Sequence, residues 1–384
     1  MHAAMKSTLF LLTLAAGLLF SACEPMSIKE YAMEEYSGAL NWTEVTPKAA
    51  WSNRYDHAAA VFQGKIWIFG GYDAGRMSGD TYLEDVWNSS DGKVWTLISD
   101  EAPWKGRRGH TVTVFNDGSG EALYLIGGFE VDEETGYRQY TNDVWRSYDG
   151  INWRRIKERS YNVNDRNSDF LPRFDHVCLS LEQDGTNYLY LIGGSTQLEN
   201  TEGVYATLYF NDVWRSTDGS SWEQLNANDF GPRSELAACV DPETGRIYLH
   251  GGIYGYHFNN DSLYNIPNSH YFQVWYTDDG TNWYPEPEFY LERAGHSMVF
   301  IDNSLWLLPG KEPAMDQLRY AEGDLYYTYS RNVDSDWVLD SEGSAFSGRH
   351  SYATLVFQDK IWVLGGETAD NGPNNDVWSA SLSN

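Results

Sequence analysis

A closed all-β ring of six four-stranded blades, a β-propeller, is the fold this sequence predicts, on three observations. The pattern Asp-Val-Trp, Asp-Gly, Trp recurs at Trp87/Trp95, Trp145/Trp153 and Trp214/Trp222 and more loosely at Trp275/Trp283, the paired tryptophans always eight residues apart. Upstream of each lies an apolar run ending in two glycines, at Gly71, Gly128, Gly194, Gly252 and Gly366, with an altered form, Leu-Trp-Leu-Leu-Pro-Gly, ending at Gly310. An arginine heads every unit (Arg54, Arg107, Arg173, Arg233, Arg293, Arg349), followed three residues later by His57, His110, His176, Leu236, His296 or Tyr352. The period, about 50 to 65 residues, is that of a propeller blade.

Each unit reads as four short strands. The first follows the arginine, the second ends in the glycines, the third carries Asp-Val-Trp, and the fourth carries the second tryptophan. Alternating apolar positions, with an Asp-Gly turn between the last two strands (Asp91-Gly92, Asp149-Gly150, Asp218-Gly219, Asp279-Gly280), are hairpin signals. The last copy, Asn375 to Trp378, has no second tryptophan after it, and Trp42 stands unmatched near the other end. Trp42 precedes Arg54 by twelve residues, as Trp95 precedes Arg107 and Trp337 precedes Arg349. The strand around Trp42 is therefore expected in the sheet of Trp378, closing the ring. A lone blade exposes two apolar faces, and stacking around an axis covers both for every blade only if the circle shuts.

On these repeats the chain resembles the Kelch-repeat β-propellers, from about Trp42 to its end. The resemblance implies a six-bladed Kelch propeller. It leaves function open, because one propeller scaffold carries many unrelated activities. Among bacterial secreted proteins of this size the chain is distantly similar to the sialic acid mutarotases (N-acetylneuraminate epimerases), through the shared repeat alone.

Residues 1–22 read as an export signal: Lys6, an apolar run from Leu9 to Phe20 too short to span a membrane, then small residues. Phe20-Ser21-Ala22-Cys23 resembles the lipobox of bacterial lipoproteins. That makes Cys23 the lipidated start of the mature chain and implies the cell envelope, at the outer membrane. Residues 23–40 are expected as an acidic tether and 41–384 as one propeller domain. A monomer that meets the membrane through its lipid alone is expected. Cys178 and Cys239 fall in the first strands of neighbouring blades, where apolar neighbours predict buried free thiols.

The formal charge of −28, from 55 acids against 27 bases, repels phosphate backbones and argues against nucleic acid as a partner. No phosphate loop, nucleophile motif or metal-ligand spacing is present in the sequence, so neither a cofactor nor a metal is expected. The histidines His57, His110, His176 and His296 are spread round the ring and cannot converge on one ion.

Strand direction puts the connections before strand one and after the glycines on one face of the disc, and the tight turns on the other. The first set is long and varied: Trp153 to Arg173 spans twenty residues against ten to twelve in other copies, and Gly252 to Trp275 spans 23 against twelve in the last blade. Binding concentrates in such loops, so a site is expected on the long-loop face near the axis. The repeated arginines and histidines read as braces that every blade needs. Residues that break the repeat are the candidates: Glu235, Arg319 and His257 for catalysis, and Tyr254, Tyr256, His270, Lys311, Glu312, Arg138 and Glu367 for ligand binding. His250 and the acids from Glu130 to Glu134 also depart from it. The expected function is a lipid-anchored interaction module for a glycan or an envelope protein. The alternative is a metal-independent sugar mutarotase or epimerase, in which a carboxylate, an arginine and a histidine around the axis move a proton. A purely structural envelope component is the third reading.

Overall fold

In the computed structural model the repeat closes into a ring. The structure describes residues 40–382, apart from 76–80, 133–136, 161–168, 200–204, 226–228, 255–256, 260–261, 265–272, 287–290, 314–317, 321–324, 329–336, 342–344, 347 and 369–371. The expected signal and residues 23–39 of the expected tether, with Cys23, lie outside the described residues, while Leu40, placed at the end of the tether, opens the closing strand instead. Among those described, six antiparallel sheets of four blade strands each surround the axis. Blade 1 runs Ala58–Phe62, Lys65–Asp73, Thr81–Ser89 and Thr96–Ser99, and its first strand lies beside the first strands of blades 2 and 6. Blade 6 takes Ala353–Phe357, Lys360–Thr368 and Gly372–Leu382 from one end of the chain and Leu40–Thr46 from the other. Trp42 lies opposite Ala380 and Glu44 opposite Trp378. The expected closure by the N-terminal strand is the one observed.

The repeated residues have structural work. Arg54 is fully buried and grips both carboxylate oxygens of Asp85 at 2.7 and 2.8 Å, while donating to the Gly70 carbonyl at 2.9 Å. Trp87 Nε1 donates to the same carboxylate at 2.6 Å. The arrangement recurs as Arg173–Asp212–Trp214 and Arg349–Asp376–Trp378, and in blade 2 as Arg107–Asp143–Trp145. The Asp-Val-Trp motif is thus a ligand set for the arginine of its own blade. Charge-assisted, two-pronged bonds of this kind fix geometry strongly.

The second glycine of each doublet is required by packing: a Cβ at Gly71 would lie 2.6 Å from the His57 Cβ. The first, at positive φ (55° at Gly70), accompanies a register shift, beyond which the second and third strands run on as a ribbon over the loop face. In blades 3, 4 and 5 that ribbon is a separate pair, as in Lys311–Pro313 with Leu318–Tyr320. On the opposite face, Asp91 caps its turn by accepting the N–H groups of Lys93 and Val94 at 2.9 Å. Gly92 then sits so close to Trp362 of blade 6 that a Cβ would meet the ring at 2.2 Å.

Six apolar clusters fill the six gaps between blades, the last joining Leu40, Trp306 and Ile361. Cys178 and Cys239 are buried and unbonded, and burial pushes the Cys178 thiol up to about 12. His57, His110, His176 and His296 are buried between blades. Burial, then Arg54, depresses His57 to about 3, so its ring packs as a neutral group.

Arg107→Met tests the brace. It leaves Asp143 and Glu130, 0% and 1% exposed, short of one cation, an imbalance that costs roughly 3–5 kcal/mol when a buried pair is broken. Urea unfolding should show that loss, and a change below about 1 kcal/mol, the scale of an exposed ion pair, would contradict the bracing role. Starting the chain after Thr46 removes the clasp of blade 6; calorimetry should show a lower and broader transition.

Candidate functional site

The residue two after each repeated arginine stands at the axis. Asp56, Gly109, Asp175, Glu235, Gly295 and Ser351 all adopt positive φ, between 51° and 61°. Each donates its backbone N–H to the carbonyl of the preceding one, in a closed circle of six bonds between 2.8 and 3.1 Å. Left-handed backbone suits glycine, and glycine fills two of the six places. The four side chains at the others are held against a local cost of about 1–2 kcal/mol per residue. Such an outlier invites a functional reading.

Two further positions per blade complete the rim. The residue after each arginine pairs with the residue after each glycine doublet: Tyr55 with Tyr72, Arg108 with Phe129, Phe174 with Ser195, Ser234 with Ile253, Ala294 with Lys311, His350 with Glu367. The rim is therefore two-sided. Blades 1 to 3 supply aromatic rings packed edge-on, Tyr55–Tyr72 at 5.3 Å and Tyr140–Phe174 at 5.2 Å, or tilted, Tyr72–Tyr82 at 4.8 Å and Phe129–Tyr140 at 4.9 Å. Blades 4 to 6 supply Glu235, Lys311, His350 and Glu367.

Charges across the rim are opposed. Arg108 reaches Asp56 at 3.3 Å, with Tyr55, Tyr72 and Phe129 rings 5.2 to 5.9 Å from its guanidinium. Lys311 reaches Glu235 at 2.9 Å. His350 shares a hydrogen bond with the Ser351 hydroxyl at 3.0 Å and stands 3.6 Å from Glu367; burial followed by Lys311 holds its imidazole down to about 2, so it is neutral. Burial raises Asp56, opposed by Arg108 and the Ser351 hydroxyl. Burial, then the neighbouring Asp56 and Glu235, lift Asp175 well above the ordinary carboxylate range, although Arg108 and Lys311 oppose the rise. Burial works against the charge of Lys311, but Glu235, Asp56 and Asp175 outweigh it and raise its ammonium. The arrangement sets a carboxyl lifted above the ordinary carboxylate range beside fixed cations, a combination suited to acid–base work or to holding a polar ligand.

Of the residues expected at a site, the structure brings together Glu235, Lys311 and Glu367. Glu235 belongs to a repeated axial position and does not break the repeat. Arg138 is exposed further out on the ribbon of blade 2, opposite Val131. Tyr254 is 39% exposed and meets Tyr209 at 5.8 Å. His257, Glu312 and Arg319 lie on ribbon strands of blades 4 and 5. Tyr256 and His270 lie outside the described residues. Two other repeat-breaking residues are structural: His250 is buried against His296 at 2.9 Å, and Glu130 is buried in the Arg107–Arg159 network. Asp56, Asp175, Arg108 and the tyrosines are additions that only the aligned columns after the arginine and the glycines could have revealed.

Fold and repeat define a Kelch-type β-propeller. The Kelch motif family matches residues 53–88, the span from the Arg54 brace to the Trp87 strand. Kelch domain-containing protein 1 of Mus musculus is 25% identical over 298 residues, covering 71% of this chain and 66% of its own length. Acyl-CoA-binding domain-containing protein 4 of Arabidopsis thaliana is 24% identical over 309 residues, covering 77% of this chain and 40% of its own. The chain thus spans less than two thirds of each of these relatives. Among solved structures, that of YjhT superposes with a TM-score of 0.61 at 15% identity, over 88% of this chain and 100% of that one, a likeness of fold.

A raised carboxyl keeps its proton in the folded protein where the unfolded chain, with a pKa of 3.8 for Asp175, has lost it. Its share of stability is complete below that value and is lost as pH rises. Asp175→Asn should therefore raise Tm at pH 7, with the gain shrinking as pH is lowered to about 4. A lower Tm at pH 7 would contradict this electrostatic reading.

Proposed function

We propose that this protein is a ligand-binding Kelch propeller whose loop-face axial site takes a small, hydrogen-bonding ligand of sugar size. The observation that carries the reading is the two-sided rim, with aromatic rings on one half and opposed charged groups on the other. Aromatic faces cover the apolar face of a sugar ring while carboxylates and hydroxyls take its O–H groups, and sites of this kind combine apolar walls with a few placed polar groups. The proposal extends to location: the lipobox-like Phe20–Cys23 supports export with a lipid anchor at Cys23.

A second reading, a metal-independent sugar mutarotase or epimerase, is favoured by one feature. Asp175 is lifted well above the ordinary carboxylate range, and the Asp56 and Glu235 carboxyls flank it on the same circle, the kind of carboxyl set that general acid–base catalysis uses. Ring opening of a hemiacetal requires a proton delivered to the ring oxygen and one removed from the anomeric hydroxyl.

A glycan array probed with the full chain should return carbohydrate ligands whose binding is lost in Tyr72→Ala and kept in Lys93→Ala on the turn face. Loss in the turn-face variant with retention in the axial one would put the site on the wrong face. Exchange between anomers of the captured sugar, followed by NMR, separates the enzyme from the binder. Cys23→Ser should move the protein from the detergent to the aqueous phase; equal aqueous partitioning of both forms would end the anchor proposal.

A further inference from the structure

We infer that the axial site selects a cationic ligand, an ammonium group on a sugar-sized frame, seated between the Asp175 carboxyl and the tyrosine wall of blades 1 and 2. The inference rests on the loop-face reading above and adds the charge of what binds there.

The rim holds the acids Asp56, Asp175, Glu235 and Glu367 against the cations Arg108 and Lys311. Each cation already faces an acid. Arg108 sits 3.3 Å from Asp56 and lies against three aromatic rings, and Lys311 sits 2.9 Å from Glu235. An incoming anion would compete with Asp56 or Glu235 for its cation and would meet the like charge of the acids that outnumber the cations around it. Asp175 is different. Arg108 acts on it electrostatically, yet no hydrogen bond or ion pair to its carboxyl occurs among the described residues. It lies between the two pairs, held by its backbone alone through Gly109 and Glu235. Gly109 makes the room: a Cβ there would come within 2.6 Å of the Asp175 carboxylate oxygen.

The wall beside it already attracts positive charge. Arg108 lies 5.9 Å from the Tyr55 ring and 5.2 Å from the Tyr72 ring, so these ring faces turn toward a cation. Tyr140 is close enough to Asp175 to feel its charge. An ammonium at Asp175 would gain a carboxylate partner and a cation–π neighbour at once. It would also relieve the repulsion among Asp175, Asp56 and Glu235. A bare metal ion does not fit, since among the described residues no three His, Cys, Asp or Glu groups stand in metal-holding geometry. The chain's charge of −28 steers cations toward it at a distance.

Three probes with one ring and three charges decide the matter. Calorimetric titration of the full chain at pH 7 with glucosamine, glucose and glucuronate should give at least about ten-fold tighter binding of glucosamine than glucose, about 1.4 kcal/mol, with glucuronate weakest. Added salt should narrow the preference. Asp175→Asn should bring glucosamine to the level of glucose. Asp175→Ser, which copies the axial residue of blade 6, repeats the test if the amide disturbs the ring. Equal binding of all three sugars would overturn the charge inference while leaving the sugar site standing. Preference for glucuronate, or a preference for glucosamine that survives both substitutions, would overturn it too. Failure of every probe to bind would remove the sugar-site reading and the inference together.

Discussion

The circle of six backbone hydrogen bonds at the axis is the constraint on which the molecule turns. Each bond joins one blade to the next, so no blade can tilt without breaking two of them. The circle needs left-handed backbone at every position, and that backbone places the side chains of Asp56, Asp175, Glu235 and Ser351 together at the centre. Closure of the ring and construction of the site are one geometric event. A scaffold that holds its blades by buried Arg–Asp pairs and six apolar layers can tolerate the local strain this demands.

The same residue types serve opposite ends in adjacent columns. Arg107 is buried, bonded to Asp143 and the Gly127 carbonyl, and braces its blade. Arg108, one position on, is 26% exposed at the axis and faces Asp56 under aromatic rings. Asp85 answers a brace while Asp56 answers the axis. Burial and partner decide which role a charged residue takes, and residue identity alone does not.

That explains how far the sequence could be read. The ring, the four strands per blade, the Trp42 closure and the bracing arginines follow from periodicity and counting, because all blades impose the same demands. The axial site was half legible. Glu235 is marked by Leu236 beside it, and Lys311 and Glu367 by their place after the glycines. Asp56 and Asp175 share the position of Glu235, but each sits beside an intact Arg and His and so looked ordinary. Arg108 was hidden by the repeated Arg107. The lesson is physical: in a propeller the axis is lined by positions that recur, so function resides in variation within a column as well as in departures from the repeat. His250 and Glu130 show the converse, since both depart from the pattern and both are absorbed by the interior.

Asymmetry is the last consequence of building a site this way. The backbone at the axis is six-fold to within its hydrogen bonds, yet the side chains it carries divide into aromatic blades and charged blades. Nothing in the packing between blades requires that division, since each interface is filled by the same kind of apolar cluster. A symmetric ring of glycines would have met the needs of closure at lower strain. The protein instead holds three acidic residues at left-handed positions and places Gly109 and Gly295 beside Asp175 and Glu235, where any larger residue would crowd their carboxylates at 2.6 and 3.2 Å. The glycines make the room, and the acids occupy it. Stability explains the blades; it does not explain the contents of the axis, and that excess is the physical support for the proposal that the loop face meets a ligand.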